Sequence, residues 1–105
     1  MAAAPPFVAY SSMSDARVPS DEWPFVYASL QAHKAHVQEY PGCQRLEVWV
    51  AVEDEGGVRL HCYTTWDTPD ELEAFLDRGY TFERMLADAS SDARVERSLV
   101  MEKLF

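Results

Sequence analysis

The stretch "TTWDTPDELEAF", residues 64–75, joins a strand to a helix at a single point. Residues before Asp67 alternate as in a strand, whereas Thr68, Pro69 and Glu71 form the capping box and first turn of a helix. The largest side chain available, Trp66, lies at this joint. It either closes the end of a core or lines a pocket, and its indole would give such a pocket a flat wall. The position beside a helix start favours the pocket.

Two strands with period-two alternation precede the joint, "QRLEVWVAVE" (44–53) and "VRLHCYTTW" (58–66). The short glycine-containing segment between them predicts an antiparallel hairpin. A three-residue loop, 55–57, would place Gly57 in the left-handed conformation that such loops need. This register pairs Val52 with Leu60 and Val50 with Cys62. It gathers the aliphatic residues of both strands on one face of the sheet.

The remaining patterns complete a strand–helix–strand–strand–helix–strand order. A first strand is predicted over 7–13, a polar loop over 14–22, and a helix to residue 40 capped by Ser20 or Asp21. The second helix is interrupted at Gly79, resumes over 81–89, and is followed by a last strand. This order predicts an α+β, ferredoxin-like βαββαβ domain over residues 7–105, with four antiparallel strands and both helices on one face. Residues 1–6 are expected to be a disordered tail.

Composition excludes several classes of function. The chain has 105 residues and a formal net charge of -9, which argues against binding nucleic acid or an anionic membrane. No apolar run is long enough to span a bilayer, and the first residues do not resemble a secretory signal. Two cysteines, Cys43 and Cys62, are expected to be free thiols in a cytoplasmic protein. No metal site is expected, because neither has a ligand at metal-binding spacing.

The face of the sheet away from the helices is expected to carry Trp49 and Tyr63 side by side, rimmed by Glu47 and His61. A solvated sheet face is normally polar, and aromatic residues are enriched where proteins associate. The sequence therefore predicts a homodimer that pairs sheet to sheet through Trp49, Tyr63 and His61.

The segments "YPGCQRLEVW" and "TTWDTPDELEAFL", with a glycine turn between them, resemble the antibiotic biosynthesis monooxygenase superfamily. The resemblance covers nearly the whole chain and rests on Pro41–Cys43 and Trp66–Asp67. It implies a ferredoxin-like chain that dimerises into an α+β barrel, with a ligand pocket between the sheet and the helices of each subunit. In the quinone-forming members a planar polyphenol binds there. The deprotonated substrate passes an electron to dioxygen without metal, flavin or any other cofactor.

The sequence departs from the family patterns at several positions. Quinone-forming members have an asparagine four residues before the tryptophan and a tyrosine six residues after it, where this chain has Cys62 and Leu72. Haem-degrading members have a tryptophan and a histidine in the second helix, where this chain has Phe75 and no histidine. These departures favour neither of the two reactions.

The candidate site residues follow from position and from the resemblance. His33, one turn after Leu30, could act as a general base, although spacing alone favours a solvated histidine at the rim of the helical stripe. One of Ser11 and Ser12, in the first strand, should face the pocket and could bind a substrate oxygen, and parity with Phe7 and Ala9 favours Ser11. The expected substrate contacts are Trp66, Tyr27, Trp23, Cys62, Phe75 and Tyr80, the last on a flap after Gly79.

The sequence thus predicts a small cofactor-independent monooxygenase that acts on an aromatic, polyketide-type metabolite. Two alternatives stay open. One is a non-oxidative cyclase or isomerase in the same pocket, with His33 or Ser11 as acid or base. The other is a small-molecule-binding module without turnover.

Overall fold

The structure, a computed structural model, describes residues 7–53 and 56–105. The predicted disordered tail, residues 1–6, lies outside these residues. The described residues form seven elements: β1 (Ala9–Pro19), α1 (Trp23–Gln38), β2 (Cys43–Val52), β3 (Gly57–Trp66), α2 (Pro69–Arg78), α3 (Phe82–Ala89) and β4 (Arg94–Lys103).

The four strands form one antiparallel sheet in the order β2-β3-β1-β4, so that β2 and β4 are its edges. Every second residue of β3 is buried, and the residues between are half-exposed. The helices therefore cover one face of the sheet, hereafter the covered face, and leave the other uncovered. The predicted ferredoxin-like α+β fold is confirmed.

The first strand is longer than predicted, because it continues through the polar segment 14–19. Ala16 and Val18 are fully buried and alternate with Asp15 and Arg17 on the other face. Asp15, Arg17 and Pro19 suggested a loop, but Asp15 and Arg17 lie on the uncovered face and Pro19 lies at the strand's end, where proline is tolerated.

Helix α1 begins later than predicted, with Glu22 rather than Ser20 or Asp21 at the N-cap and with no capping bond from its side chain. The Glu22 carboxylate instead accepts a hydrogen bond from the hydroxyl of Ser90, directly after α3. A tertiary contact thus takes the place of the local cap.

The hairpin register also differs from the prediction. Val52 pairs with Val58 and Val50 with Leu60, two residues from the predicted partners. Gly56 (φ +81°), not Gly57, adopts the left-handed conformation, and Glu53 N–H donates to Gly57 O at 2.9 Å across the loop. Since side chains alternate with a period of two, the shift leaves each residue on its predicted face.

The start of α2 is as predicted. Thr68 Oγ1 accepts a hydrogen bond from Glu71 N–H at 3.2 Å and donates to Glu71 Oε1 at 2.9 Å. Helix α2 ends at Arg78, and Thr81 caps α3 by accepting a hydrogen bond from Arg84 N–H at 3.4 Å. In the part of the chain that the structure describes, no helix has the length and apolarity needed to cross a membrane.

Candidate functional site

Trp66 is fully buried at the end of β3, within an aromatic cluster. Its ring stacks on Phe75 at a centroid distance of 4.9 Å, and Tyr40 meets both rings edge-on. The indole N–H donates to Thr64 Oγ1 at 2.9 Å. Trp66 and Phe75, both predicted to contact a substrate, are therefore in contact with each other and enclosed by protein. Their predicted contact with a substrate stays a prediction.

A line of hydroxyl groups extends from this cluster across the covered face. Thr64 is buried, and its hydroxyl also bonds to Ser12 of β1. Ser11, predicted to lie toward the helices, points to the other face and pairs with Thr65 at 3.1 Å. The predicted orientation of Ser11 is wrong because Ser12, Ala16 and Val18 pair with the buried residues of β3, so that the even-numbered residues of β1 face the helices. Ser12 is linked to the indole of Trp66 through the hydroxyl of Thr64.

His33 lies at the centre of the buried stripe of α1, with Val26 and Val37, and is 1% exposed. Neither ring nitrogen has a hydrogen-bond partner among residues 7–53 and 56–105. The rings of Tyr80 and Phe82 lie 6.0 and 6.4 Å away. Burial lowers the pKa of His33 to about 4, with a smaller effect from the charge of His36. The imidazole is therefore neutral at pH 7, with an available lone pair.

Tyr80 closes the space beside His33 from the linker between α2 and α3. Its backbone N–H donates to His36 Nε2 at 3.3 Å, and its hydroxyl donates to Asp88 Oδ2 at 2.6 Å. The bond to Asp88 raises the pKa of Tyr80, with smaller effects from burial and from the charge of Asp88. The hydroxyl therefore keeps its proton, and its hydrogen bond to Asp88 persists across the neutral pH range.

Trp23 and Tyr27 do not reach this part of the protein. They line a groove of about 280 Å³ between α1 and the β2 edge, together with Leu30, Gln31, Lys34, Leu46, Val48 and Val50. The side chain of Tyr27 is exposed. The predicted contacts are therefore distributed between this groove and the interior, where His33 and Trp66 lie, with Tyr80 half-buried beside His33.

Both cysteines are free thiols. Cys62 is buried on the covered face, and burial raises its pKa to about 12. It is therefore a small apolar group at neutral pH, consistent with ordinary core packing. Within residues 7–53 and 56–105, no group of three or more His, Cys, Asp or Glu side chains could hold a metal ion.

The uncovered face carries a second cavity, of about 430 Å³, lined by Glu47, Trp49, His61 and Tyr63. The indole of Trp49 is 62% exposed, a large apolar surface for a chain of this size. Beside the cavity, His61 Nδ1 lies 2.6 Å from Oδ1 of the buried Asp15. The four residues predicted to share this face do so.

Sequence reasoning did not find two of these features. The burial of His33 was missed because Trp23 and Tyr27 shifted the apparent centre of the helical stripe; the spacing of Val26, Leu30, His33 and Val37 contains the correct one. The partner of His61 was missed because Asp15 was assigned to a loop. The alternation of Ala16 and Val18 was the signal that could have placed it on a strand.

No family model and no curated protein matches the sequence. Solved structures do match in fold. A variant of SnoaB from Streptomyces nogalater, a cofactor-independent oxygenase, has a TM-score of 0.68 at 11% identity, covering 90% of this chain and 91% of its own. A protein of Nitrosomonas europaea provisionally named an antibiotic biosynthesis monooxygenase has a TM-score of 0.70 at 16% identity, covering 94% and 93%.

A third structure is a dimeric ferredoxin-like protein from an uncultured marine organism, with a TM-score of 0.67 at 13% identity and coverage of 92% and 96%. The resemblance to the antibiotic biosynthesis monooxygenases is thus confirmed at the level of the fold.

Proposed function

We propose that this protein is a small cofactor-independent monooxygenase that acts on an aromatic, polyketide-type metabolite, with His33 as the base. The substrate lies between α1, the α2–α3 linker and the covered face of the sheet. The fold shared with SnoaB, a cofactor-independent oxygenase, supports this class of reaction.

The observation that carries the proposal is the unpartnered imidazole of His33. A buried polar group without a hydrogen bond destabilises a protein by about 1–3 kcal/mol. Native proteins contain few such groups, and a functional role is one reason to retain them. A phenolic hydroxyl placed against His33 would supply the missing bond.

The chemistry needs only a base, an apolar space and dioxygen. His33 accepts the phenol proton, and the resulting phenolate stabilises the imidazolium because opposite charges attract at short range. The phenolate gives one electron to dioxygen, the two radicals combine as a peroxide, and loss of water leaves a quinone. One dioxygen is consumed per substrate, with one oxygen atom in the product and one in water.

Access requires movement of Tyr80, since this side chain lies against His33. Tyr80 follows Gly79, at the break between two helices, and two hydrogen bonds hold it. We expect the linker to open for the substrate and to close over it. Trp66 and Phe75 then form the aromatic wall deeper in the core.

The test is oxygen uptake with an anthrone-type phenol, without added metal or flavin. We expect turnover in the unmodified protein and a loss of about 10²-fold or more in His33→Leu, the usual contribution of a general base. The matched control is Ala32→Leu, which adds the same side chain to the exposed side of the same helix. It should retain full activity.

Two outcomes would contradict the proposal. Equal oxygen uptake in His33→Leu and the unmodified protein would remove His33 from the reaction. Product formation at the same rate without oxygen would favour the cyclase or isomerase alternative instead.

A further inference from the structure

We propose that the groove between α1 and the outer edge of the sheet binds a planar aromatic carboxylate. This groove, hereafter the edge groove, has a volume of about 280 Å³ and lies against β2. Binding there does not depend on the monooxygenase activity, because His33 belongs to the neighbouring, buried stripe of α1.

The edge groove stays open when two copies pair through the uncovered face. Its three strand residues are Leu46, Val48 and Val50, and each pairs with a buried residue of β3. Since directly paired residues lie on the same face of a sheet, these side chains point to the covered face. The pairing of two sheets takes place on the opposite side of β2, around Trp49.

The walls of the edge groove suit a flat ring. Trp23 and Tyr27 supply aromatic surface from α1, with ring centroids 5.8 Å apart and planes inclined at 60°. A ligand ring that stacks on Tyr27 can therefore meet Trp23 near its edge, and both arrangements are favourable for aromatic pairs. Val48 and Val50, two residues apart on β2, supply an apolar floor.

Much of this apolar surface is exposed to solvent in the single chain. Tyr27 is 53% exposed and Val50 is 49% exposed. Single exposed apolar residues are normal, but these two lie in one concave surface together with Leu30 and Leu46. A concave apolar surface with a few polar groups is typical of a small-molecule site.

The polar groups of the edge groove select an anion. Lys34 is the one charged side chain among the described lining residues, and it makes no ion pair within residues 7–53 and 56–105. Gln31 Nε2 donates to the Tyr27 hydroxyl oxygen at 3.5 Å, which leaves the Tyr27 O–H group to donate in turn. An ammonium and a hydroxyl donor together favour a carboxylate as their acceptor.

The spacing along α1 sets the length of the ligand. Tyr27 and Lys34 are seven residues apart, which is about 10 Å along the helix axis. A bicyclic aromatic ring with a carboxylate attached to it matches this span, with the ring against Tyr27 and the carboxylate beside Lys34.

The experiment is a titration of the ¹⁵N-labelled protein with quinoline-6-carboxylate at pH 7.5 and low salt, followed by two-dimensional NMR. Three tryptophans provide indole N–H signals that can be assigned by substitution. We expect the Trp23 signal to shift, the Trp49 and Trp66 signals to stay in place, and a Kd of about 1 mM, as befits a ligand of this size. Quinoline-6-carboxamide, the neutral isostere, should bind about fivefold more weakly although the net charge of -9 disfavours anions.

Two pairs of variants separate the charge from the ring. Lys34→Gln should weaken binding of the carboxylate by about threefold to fivefold and leave the carboxamide unaffected. Its matched control is Lys103→Gln, which removes the other lysine of the chain at the opposite edge of the sheet. Tyr27→Leu should weaken both ligands by about fivefold. Its control is Phe25→Leu, an exposed aromatic residue of the same helix that lies outside the groove.

The four substituted side chains are exposed, so the variants are expected to fold, and the same spectra verify it. Equal affinity for the carboxylate and the carboxamide would overturn the proposal. So would equal effects of Lys34→Gln and Lys103→Gln, or ligand-induced shifts centred on Trp49 rather than Trp23. Loss of oxygen uptake in His33→Leu with unchanged binding of the carboxylate would confirm that the edge groove is separate from the monooxygenase site.

Discussion

At the scale of single residues, the proposals for the covered face rest on two buried side chains, Trp66 and His33. Trp66 was identified from its position in the sequence, and its burial follows from the alternation of β3. The significance of His33 was not predictable, because an absent hydrogen-bond partner depends on every element packed around it. The face on which a residue lies can be predicted from a periodic pattern. Whether a buried polar group has a hydrogen-bond partner depends on the whole folded protein.

His33 makes the stability of the protein depend on pH. Its pKa is about 4 in the folded protein and 6.5 when exposed. Above pH 6.5 both states are neutral and the free energy of unfolding is unaffected. Between pH 6.5 and 4 the unfolded chain binds a proton that the folded protein does not, so stability falls by on the order of 3 kcal/mol. Chemical denaturation in this pH range should show the slope.

His33→Leu should remove this part of the slope and raise stability at neutral pH by about 1 kcal/mol, because the unpartnered nitrogens are replaced by apolar atoms. The carboxylates titrate in both proteins. Comparing the free energies of unfolding of the two proteins at pH 7 and pH 5 therefore isolates the contribution of His33. An identical pH slope in the two proteins would contradict the assignment.

Trp66 can be tested with conservative substitutions. Trp66→Phe removes the hydrogen bond to Thr64 and part of the stacking on Phe75, and should lower the free energy of unfolding by about 1–3 kcal/mol. If Trp66 also stacks on the substrate, KM or kcat should change in this variant and more strongly in Trp66→Leu. Full activity in both variants, with reduced stability alone, would make it a core residue only.

At the scale of elements, capping residues and alternation predicted nearly all helices and strands. Thr68 and Glu71 fixed the start of α2 from the sequence alone, since the capping box is local. The start of α1 was misplaced because Glu22 bonds to Ser90, 68 residues away. The hairpin register was misplaced by two residues because two glycines follow each other, and either can take the left-handed position.

The two left-handed glycines provide a matched pair of substitutions. At Gly42 (φ +82°) an added Cβ would lie 2.1 Å from the Glu71 carboxyl group, whereas at Gly56 an added Cβ would lie 3.6 Å from Ser20 Oγ, an ordinary contact. Gly56→Ala should lower stability by about 1 kcal/mol through backbone strain alone. Gly42→Ala should lose about 1 kcal/mol more, because Glu71 must leave its bond to Thr68. Thermal denaturation of both variants measures the difference, and equal losses would contradict it.

At the scale of the whole molecule, the uncovered sheet face is the feature that a single chain leaves incomplete. Trp49 and Tyr63 were placed on this face from alternation, and they lie there with Glu47 and His61. A ferredoxin-like structure of similar fold is dimeric. We therefore propose that two copies pair through this face.

Mass measurement in solution tests this pairing. We expect a species of twice the chain mass of 11.9 kDa at micromolar concentration. Trp49→Glu should convert it to a monomer, because a carboxylate would be buried without a partner at the centre of the interface. A monomer in both proteins would exclude the pairing.

The edge strand β2 has a consequence for handling the protein. It is ten residues long and leaves Val50 and Val52 exposed, with main-chain groups available on its outer side. Such an edge is a template for aggregation unless something keeps molecules apart. At pH 7 the net charge of -9 does so, but this repulsion disappears near the pI of about 4.6. Acidic storage would therefore favour precipitation just where His33 weakens the fold.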